Sequence, residues 1–145
     1  MITVNQILQA KGITEVWTAT PDESVRDVLQ MLIERKIGAL PVVDGGKLVG
    51  IISERDYIRK VALSKELSLE SPVSQIMTSQ VMIISPSESL DNCMALMTDK
   101  RVRHLPVLDG DKLIGIVSIG DLVKNIISDQ EFRIAQLENY ITGSV

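Results

Sequence analysis

The sequence feature that most limits the folds open to this chain is a stretch it carries twice. Residues 40–56 read LPVVDGGKLVGIISERD and residues 105–121 read LPVLDGDKLIGIVSIGD. An offset of 65 residues aligns the two without a gap and leaves 11 of 17 positions identical. The identities include Leu40, Pro41, Val42, Asp44, Gly45, Gly50, Ser53 and Asp56, and the register extends back to Pro21/Pro86, Glu23/Glu88 and Ser24/Ser89. A repeat of this length means one supersecondary unit used twice. A unit of about 65 residues buries its own sheet poorly. The expected solution is two copies packed face to face with pseudo-twofold symmetry.

Within each unit the hydrophobic pattern changes period. Val4, Ile7 and Leu8 predict a short amphipathic lead-in helix closed by Gly12, and ITEVWTAT (13–20) predicts a strand ending at Pro21. Val25, Val28, Leu29 and Leu32 share one face of a helix over 24–36. A strand over 40–43, the turn Asp44-Gly45-Gly46 and a strand over 47–52 buried on both faces follow. Ser53 then opens a helix with Tyr57, Ile58, Val61 and Ala62 facing inward. Residues 63–72 (LSKELSLESP) form a polar connector, and VSQIMT reads as a second lead-in helix. Elements over 81–84, 89–100, 105–108, 112–117 and 119–127 repeat the order, and 129–141 predicts a terminal helix. The expected fold class is α/β (α+β), two β-α-β-β-α repeats. Repeat 1 spans 1–68, repeat 2 spans 69–128 and a C-terminal helix spans 129–145.

Composition excludes several classes. Apolar residues at 45% and charged residues at 23% fit a folded globular chain rather than a disordered one. Aromatics are only 3%, so the core must be aliphatic. A net charge of −4 without a basic block argues against nucleic acid. No apolar run reaches the roughly 18–20 residues of a membrane span, and the N-terminus lacks signal-peptide character. The single Cys93 permits no internal disulfide and fits a reducing compartment, with the cytoplasm as the expected location. There is no second Cys or His from which to build a metal set.

The residues with chemical potential lie where strand turns into helix. Ser53-Glu54-Arg55-Asp56 and Ser118-Ile119-Gly120-Asp121 both match Ser-x-x-Asp. One reading is helix capping, for which Ser and a following carboxylate are suited. The other is ligand binding. A carboxylate at a helix start accepts hydrogen bonds from a ribose diol, and the free N–H groups there receive phosphate. The sharpest difference between the copies is Arg103-His104, which stands where repeat 1 has Gly38-Ala39. Guanidinium beside imidazole suits a phosphate, though a solvated Arg and a packed His would also account for the pair. Arg55 likewise has no counterpart, since Gly120 takes its place, so the two sites should differ in charge. Arg59 and Lys60 lie one turn further on, either helping Arg55 or merely solvated.

The paired pattern, hydrophobic-Pro-Val-x-Asp, a Gly turn, then Gly-Ile-hydrophobic-Ser-x-x-Asp, resembles the CBS domain, and two copies resemble a Bateman module. The resemblance runs from about Val4 to Ile127. It implies two clefts, each built from both repeats. One would use Thr20, Ile37, Gly38 and Ala39 with Ser118 and Asp121. The other would use Ser53, Arg55 and Asp56 with Ser85, Val102, Arg103 and His104. The Asp would grip ribose, the Ser would sit near ribose or phosphate, backbone before the Pro would read adenine, and Ile37 and Val102 would pack on the purine. The implied ligands are AMP, ADP, ATP, NAD(H) or S-adenosylmethionine, with phosphorylated ligands favoured by the cations near Asp56. The family also implies a homodimer formed through helices, for which the apolar seams over 24–36 and 89–100 are compatible. It further implies an enzyme or transporter as the regulated partner.

Three function classes follow. The first is a regulatory adenosine-nucleotide-binding module that senses energy or metabolite state, with no required cofactor. The second is a ligand-free structural or protein-interaction module. The third, a nucleotide hydrolase, lacks an assembled nucleophile and base, so the expectation is that the chain is not an enzyme.

Overall fold

The computed structural model describes residues 1–12 and 15–143. Two helical hairpin-like halves share one design. Helix α1 (Val4–Lys11) opens with a capping box, in which Thr3 and Gln6 satisfy each other's backbone N–H groups, and stops at left-handed Gly12. Helices α2 (Val25–Arg35) and α4 (Leu90–Lys100) start on Ser24 and Ser89, whose hydroxyls accept from the N–H of Asp27 and Asn92. Both end on a residue with positive φ, Lys36 and Arg101.

Strands β1 (Ala39–Asp44) and β2 (Lys47–Ser53) form one antiparallel hairpin, and β3 (His104–Asp109) and β4 (Lys112–Ser118) form the other. Their registers coincide, Pro41 opposite Ile51 and Pro106 opposite Ile116, and both carry an irregularity one residue beyond the proline-valine pair. Helix α3 (Glu54–Asp56) follows β2, and the long α5 (Ile119–Thr142) follows β4.

Several expectations are corrected. The strands predicted over 13–20 and 81–84 shrink to single parallel bridges, Ala19 to Val42 and Ile84 to Val107; Ile13 and Thr14 lie outside the described residues. The N–H of Ala19 and of Ile84 bonds the carbonyl of Pro41 and Pro106, but a proline has no N–H with which to extend the ladder. The helix after Ser53 is α for one turn and then a π-turn over Tyr57–Val61. Of the four residues expected to face inward there, only Val61 is buried, while Ile58 and Ala62 are exposed. The second lead-in, VSQIMT, is one 3-10 turn (Val73–Gln75). The helices expected over 119–127 and 129–141 are one helix, α5; residues 144–145 lie outside the described residues.

The packing exchanges the lead-ins. Val4 and Ile7 from the start of the chain are buried in the core of the second half, among Leu90, Cys93, Leu105 and Val117. Val73 and Ile76 are buried in the core of the first half, among Val25, Val28, Leu40 and Ile52. The backbone repeats the exchange. Val4 N–H donates to Glu88 O at 2.8 Å and Val73 N–H to Glu23 O at 2.8 Å; Asn5 donates to Pro86 O at 2.9 Å and Ser74 to Pro21 O at 3.0 Å. Two glycines mark where these lead-ins press on the hairpins. A Cβ on Gly50 would stand 2.6 Å from Met77 Sδ, and one on Gly115 would stand 2.8 Å from Leu8 Cδ2. The apolar seams of α2 and α4 lie in these cores, with Val25, Val28, Leu32, Leu90, Cys93 and Met97 all buried. That part of each seam is engaged within the chain, while Leu29, Met31, Met94 and Leu96 stay half-buried and Ile33 is exposed.

Candidate functional site

Both Ser-x-x-Asp motifs form reciprocal caps. Ser53 N–H and Ser118 N–H each donate to their Asp, Asp56 Oδ2 and Asp121 Oδ2, at 2.8 Å, and each Ser Oγ accepts from its Asp N–H. Capping therefore operates at both sites. It does not exhaust a carboxylate, which has about four lone-pair positions. Instead it fixes the side chain at the helix start, where a ribose would meet it.

The two halves enclose one cleft of about 430 Å³, within the range of about 300–1,000 Å³ usual for small-molecule sites. It brings together Gly38, Ala39, Ser53, Arg55 and Asp56 with Val102, Arg103, His104 and Ser118. Residues expected in two separate clefts thus share one wall-to-wall space. Glu54, Arg59, Thr78, Gln80, Met82 and Arg101 also line it. Arg101 carried no motif signal; it arrives because the left-handed end of α4 turns the chain into β3. Four arginines, Arg55, Arg59, Arg101 and Arg103, consequently border one cavity. Lys60 Nζ lies 3.3 Å from Asp56 Oδ1 and donates to Ile76 O at 2.6 Å.

His104 sits against Gly38, where a Cβ would come within 3.1 Å of Nε2. The missing side chain in repeat 1 makes room for the imidazole of repeat 2. Burial pushes the His104 pKa below its ordinary 6.5; Asp121 and Glu54 oppose this, while Lys11 and Arg103 reinforce it. The imidazole is thus neutral at neutral pH and can act as acceptor or donor. Cys93 is a core thiol, with burial and Glu88 pushing its pKa up to about 11.

A second, smaller cavity of about 70 Å³ is lined by Leu8, Lys11, Val16, Trp17, Ile37, Ala39 and Ile116. The offset of 65 maps Val16, Trp17, Ile37 and Ala39 onto Val81, Met82, Val102 and His104 of the larger cleft, so the two are pseudo-twofold mates. Arg35 covers the Trp17 ring, 3.7 Å from its centre. Asp121 borders neither cavity; Lys11 Nζ lies 2.8 Å from its Oδ2. Thr20 is exposed and donates to Glu23 Oε1 through N–H and Oγ1, outside both cavities. Ser85 pairs with Ser87 and lines a shallow depression beside Pro86 and Asn5. Among the described residues no group of three or more His, Cys, Asp or Glu is placed to hold a metal ion, and no helix is long and apolar enough to cross a membrane.

Known proteins with this arrangement are numerous. A curated relative, the mitochondrial CBS domain-containing protein CBSX3 of Arabidopsis thaliana, is 35% identical over 97% of this chain and 72% of its own length. A solved protein with CBS domains from Burkholderia ambifaria MC40-6 is 52% identical, covers 89% of this chain and 96% of its own, and superposes with a TM-score of 0.84. Two further solved relatives hold ligands. CBSX2 in complex with AMP is 27% identical, TM-score 0.74, over 88% of this chain and 98% of its own. The CBS domain pair of MJ0100, with 5′-methylthioadenosine and S-adenosylmethionine, is 26% identical, TM-score 0.74, over 89% and 98%. The family model for the CBS domain matches residues 4–63 and again 73–128. With both halves matched and the hairpins, caps and exchanged lead-ins repeated between them, this chain belongs to the CBS-domain family as a tandem pair.

Proposed function

We propose that the chain is a regulatory module that binds one adenosine nucleotide in the larger cleft. The observation that carries the reading is Asp56, held at a helix start by Ser53 and facing a cavity bordered by four arginines. In this reading the Asp56 carboxylate takes the ribose diol and the half-exposed Lys60 swings aside. Arg55, Arg59, Arg101, Arg103 and His104 meet the phosphates, and Val102 packs on the purine. The cation set favours AMP, ADP, ATP or NAD(H) over S-adenosylmethionine, which lacks phosphate. The chain carries out no reaction. Because both halves line the cleft, a ligand that fits one inter-repeat geometry better shifts the population toward it. The output passes to a second copy or to a partner enzyme or transporter. The site of action in this reading is the cytoplasm, where the buried Cys93 stays reduced.

A second reading has one observation in its favour: Asp56 and Asp121 are already engaged by caps and lysines. In that case the chain is a ligand-free interaction module. Isothermal titration with AMP, ATP, NADH and S-adenosylmethionine separates the two. Saturable binding to one of them, weakened about 10- to 100-fold by Asp56→Ala, is expected, since a hydrogen bond to a charged group contributes about 1.5–3 kcal/mol. No heat with any of the four, in folded protein free of copurified nucleotide, would leave the interaction module as the better account.

A further inference from the structure

The two lead-ins begin alike, Val4-Asn5-Gln6-Ile7-Leu8 against Val73-Ser74-Gln75-Ile76-Met77, and Leu8 and Met77 press on the equivalent glycines 115 and 50. After that they diverge. In the second lead-in Thr78 leaves the helical path and pairs with β2, its N–H donating to Ile51 O at 2.9 Å and its carbonyl accepting from Ile51 N–H at 3.0 Å. In the first, Gln9, Ala10 and Lys11 continue α1 to its stop at Gly12. Ala, Gln and Lys favour helix, whereas Thr and Ser compete for backbone bonds. The consequence is that Ile116 O, the counterpart of Ile51 O, is met by a side chain: Lys11 Nζ donates to it at 2.9 Å and to Asp121 Oδ2 at 2.8 Å. Counting on from Leu8 and Met77, the position matching Lys11 is Gln80, which borders the larger cleft.

We infer that Lys11 is the residue that decides how many ligands the chain binds: its ammonium occupies the place of a ribose on Asp121 and keeps the second cleft shut. Leu8 also lines the small cavity, whereas its counterpart Met77 does not border the open cleft, but Lys11 is the side chain that reaches across to the Asp121 carboxylate. Lys60 is not equivalent either. It reaches Asp56 from its own helix at 3.3 Å and is 41% exposed, whereas Lys11 crosses from the other end of the chain and is 24% exposed. The closed cavity of about 70 Å³ is far below the roughly 300 Å³ at which small-molecule sites begin. This inference rests on the adenosine-binding reading for the ligand class, and on geometry alone for the closure.

The test is the stoichiometry of AMP, ATP, NADH or S-adenosylmethionine binding to the full chain, with Lys11→Gln copying Gln80 and Lys11→Met keeping the aliphatic stem without the charge. Emission from Trp17, which lines only the small cavity, reports that cleft separately. Expected are one ligand per wild-type chain and two per Lys11→Gln chain. One should survive in Lys11→Gln/Asp56→Ala, accompanied by a change in Trp17 emission, and be lost when Asp121→Ala is added. One ligand per chain in both Lys11 variants, with none in the Asp56→Ala doubles, overturns the inference and leaves the open-cleft reading intact. Two ligands on the wild type also overturn it. Binding that appears only in the Lys11 variants supports it while removing the open-cleft reading, and no binding in any variant removes both.

Discussion

At the scale of single residues the two copies differ most at Gly38-Ala39 and Arg103-His104. His104 fills the space a side chain on residue 38 would need, so its imidazole is desolvated from both halves. Burial is the main cause of its lowered pKa, opposed by Asp121 and Glu54. The sign follows directly. Above the unfolded value of 6.5 the imidazole is neutral in both states and contributes nothing to the pH slope. As pH falls through 6.5 the unfolded chain takes up the proton first, so stability falls until the folded group protonates as well. Thermal unfolding between pH 5.5 and pH 7.5 should therefore show a larger loss toward acid for the wild type than for His104→Gln. Parallel curves would mean that His104 is not desolvated as described. The Arg103-His104 asymmetry is visible once the repeats are aligned. Its physical partner, the absent side chain of Gly38, is not, because the two positions meet only across the pseudo-twofold axis.

At the scale of elements, the parts legible in the sequence are those with a complete local signal. Ser24, Ser53, Ser89 and Ser118 each precede a helical apolar pattern, and each is a cap. Short β segments before Pro21 and Pro86 read as strands, but Pro41 and Pro106, which they meet, have no N–H to carry the ladder past a single bridge. The Lys11 contact was hidden because it depends on where α1 stops. Nothing local in the sequence marks residue 128 as the interior of a helix, yet α5 runs through it, and its continuation has a pattern of its own. Val123, Ile127, Gln130, Ile134, Leu137 and Ile141 recur at alternating spacings of four and three, and the five apolar ones are exposed. That is the a/d spacing a coiled coil would use, with Ile at a and Leu137 at d suiting a parallel pair. Arg133 and Glu138 fall at g and e, the positions that pair between chains in coiled coils; within the chain Arg133 Nε lies 3.1 Å from Asp129 Oδ2. A homodimer through α5 is thus a testable alternative to one through α2 and α4, whose seams are partly buried. Sedimentation equilibrium should give a dimer for the wild type and a monomer for Leu137→Asp, with unchanged circular dichroism. A dimer that survives Leu137→Asp would place the contact elsewhere.

At the scale of the whole molecule the exchanged lead-ins decide how the two repeats depend on each other. If each half owned its core, a core substitution would weaken one half and leave the other. Here Ile7, near the start of the chain, lies at 0% exposure in the core of the second half, and Ile76 lies at 0% in the core of the first. Their neighbours are tied across by paired backbone bonds, Val4 to Glu88 and Val73 to Glu23. Losing either half strips the other of two buried aliphatics, each contributing about 1.5–3 kcal/mol, against a total stability of about 5–15 kcal/mol for a domain of this kind. That is a large share of the total, so unfolding should be a single cooperative step. Ile7→Ala and Ile76→Ala should each lower stability by about 2–5 kcal/mol, the usual cost of such a deletion. Urea unfolding followed by far-ultraviolet circular dichroism should give one transition, displaced similarly by the two substitutions. Two resolved transitions, with Ile7→Ala moving only one of them, would show that the halves fold independently. The same coupling is what a ligand in the shared cleft would act on, since any change in the fit of one half is felt in the core of the other.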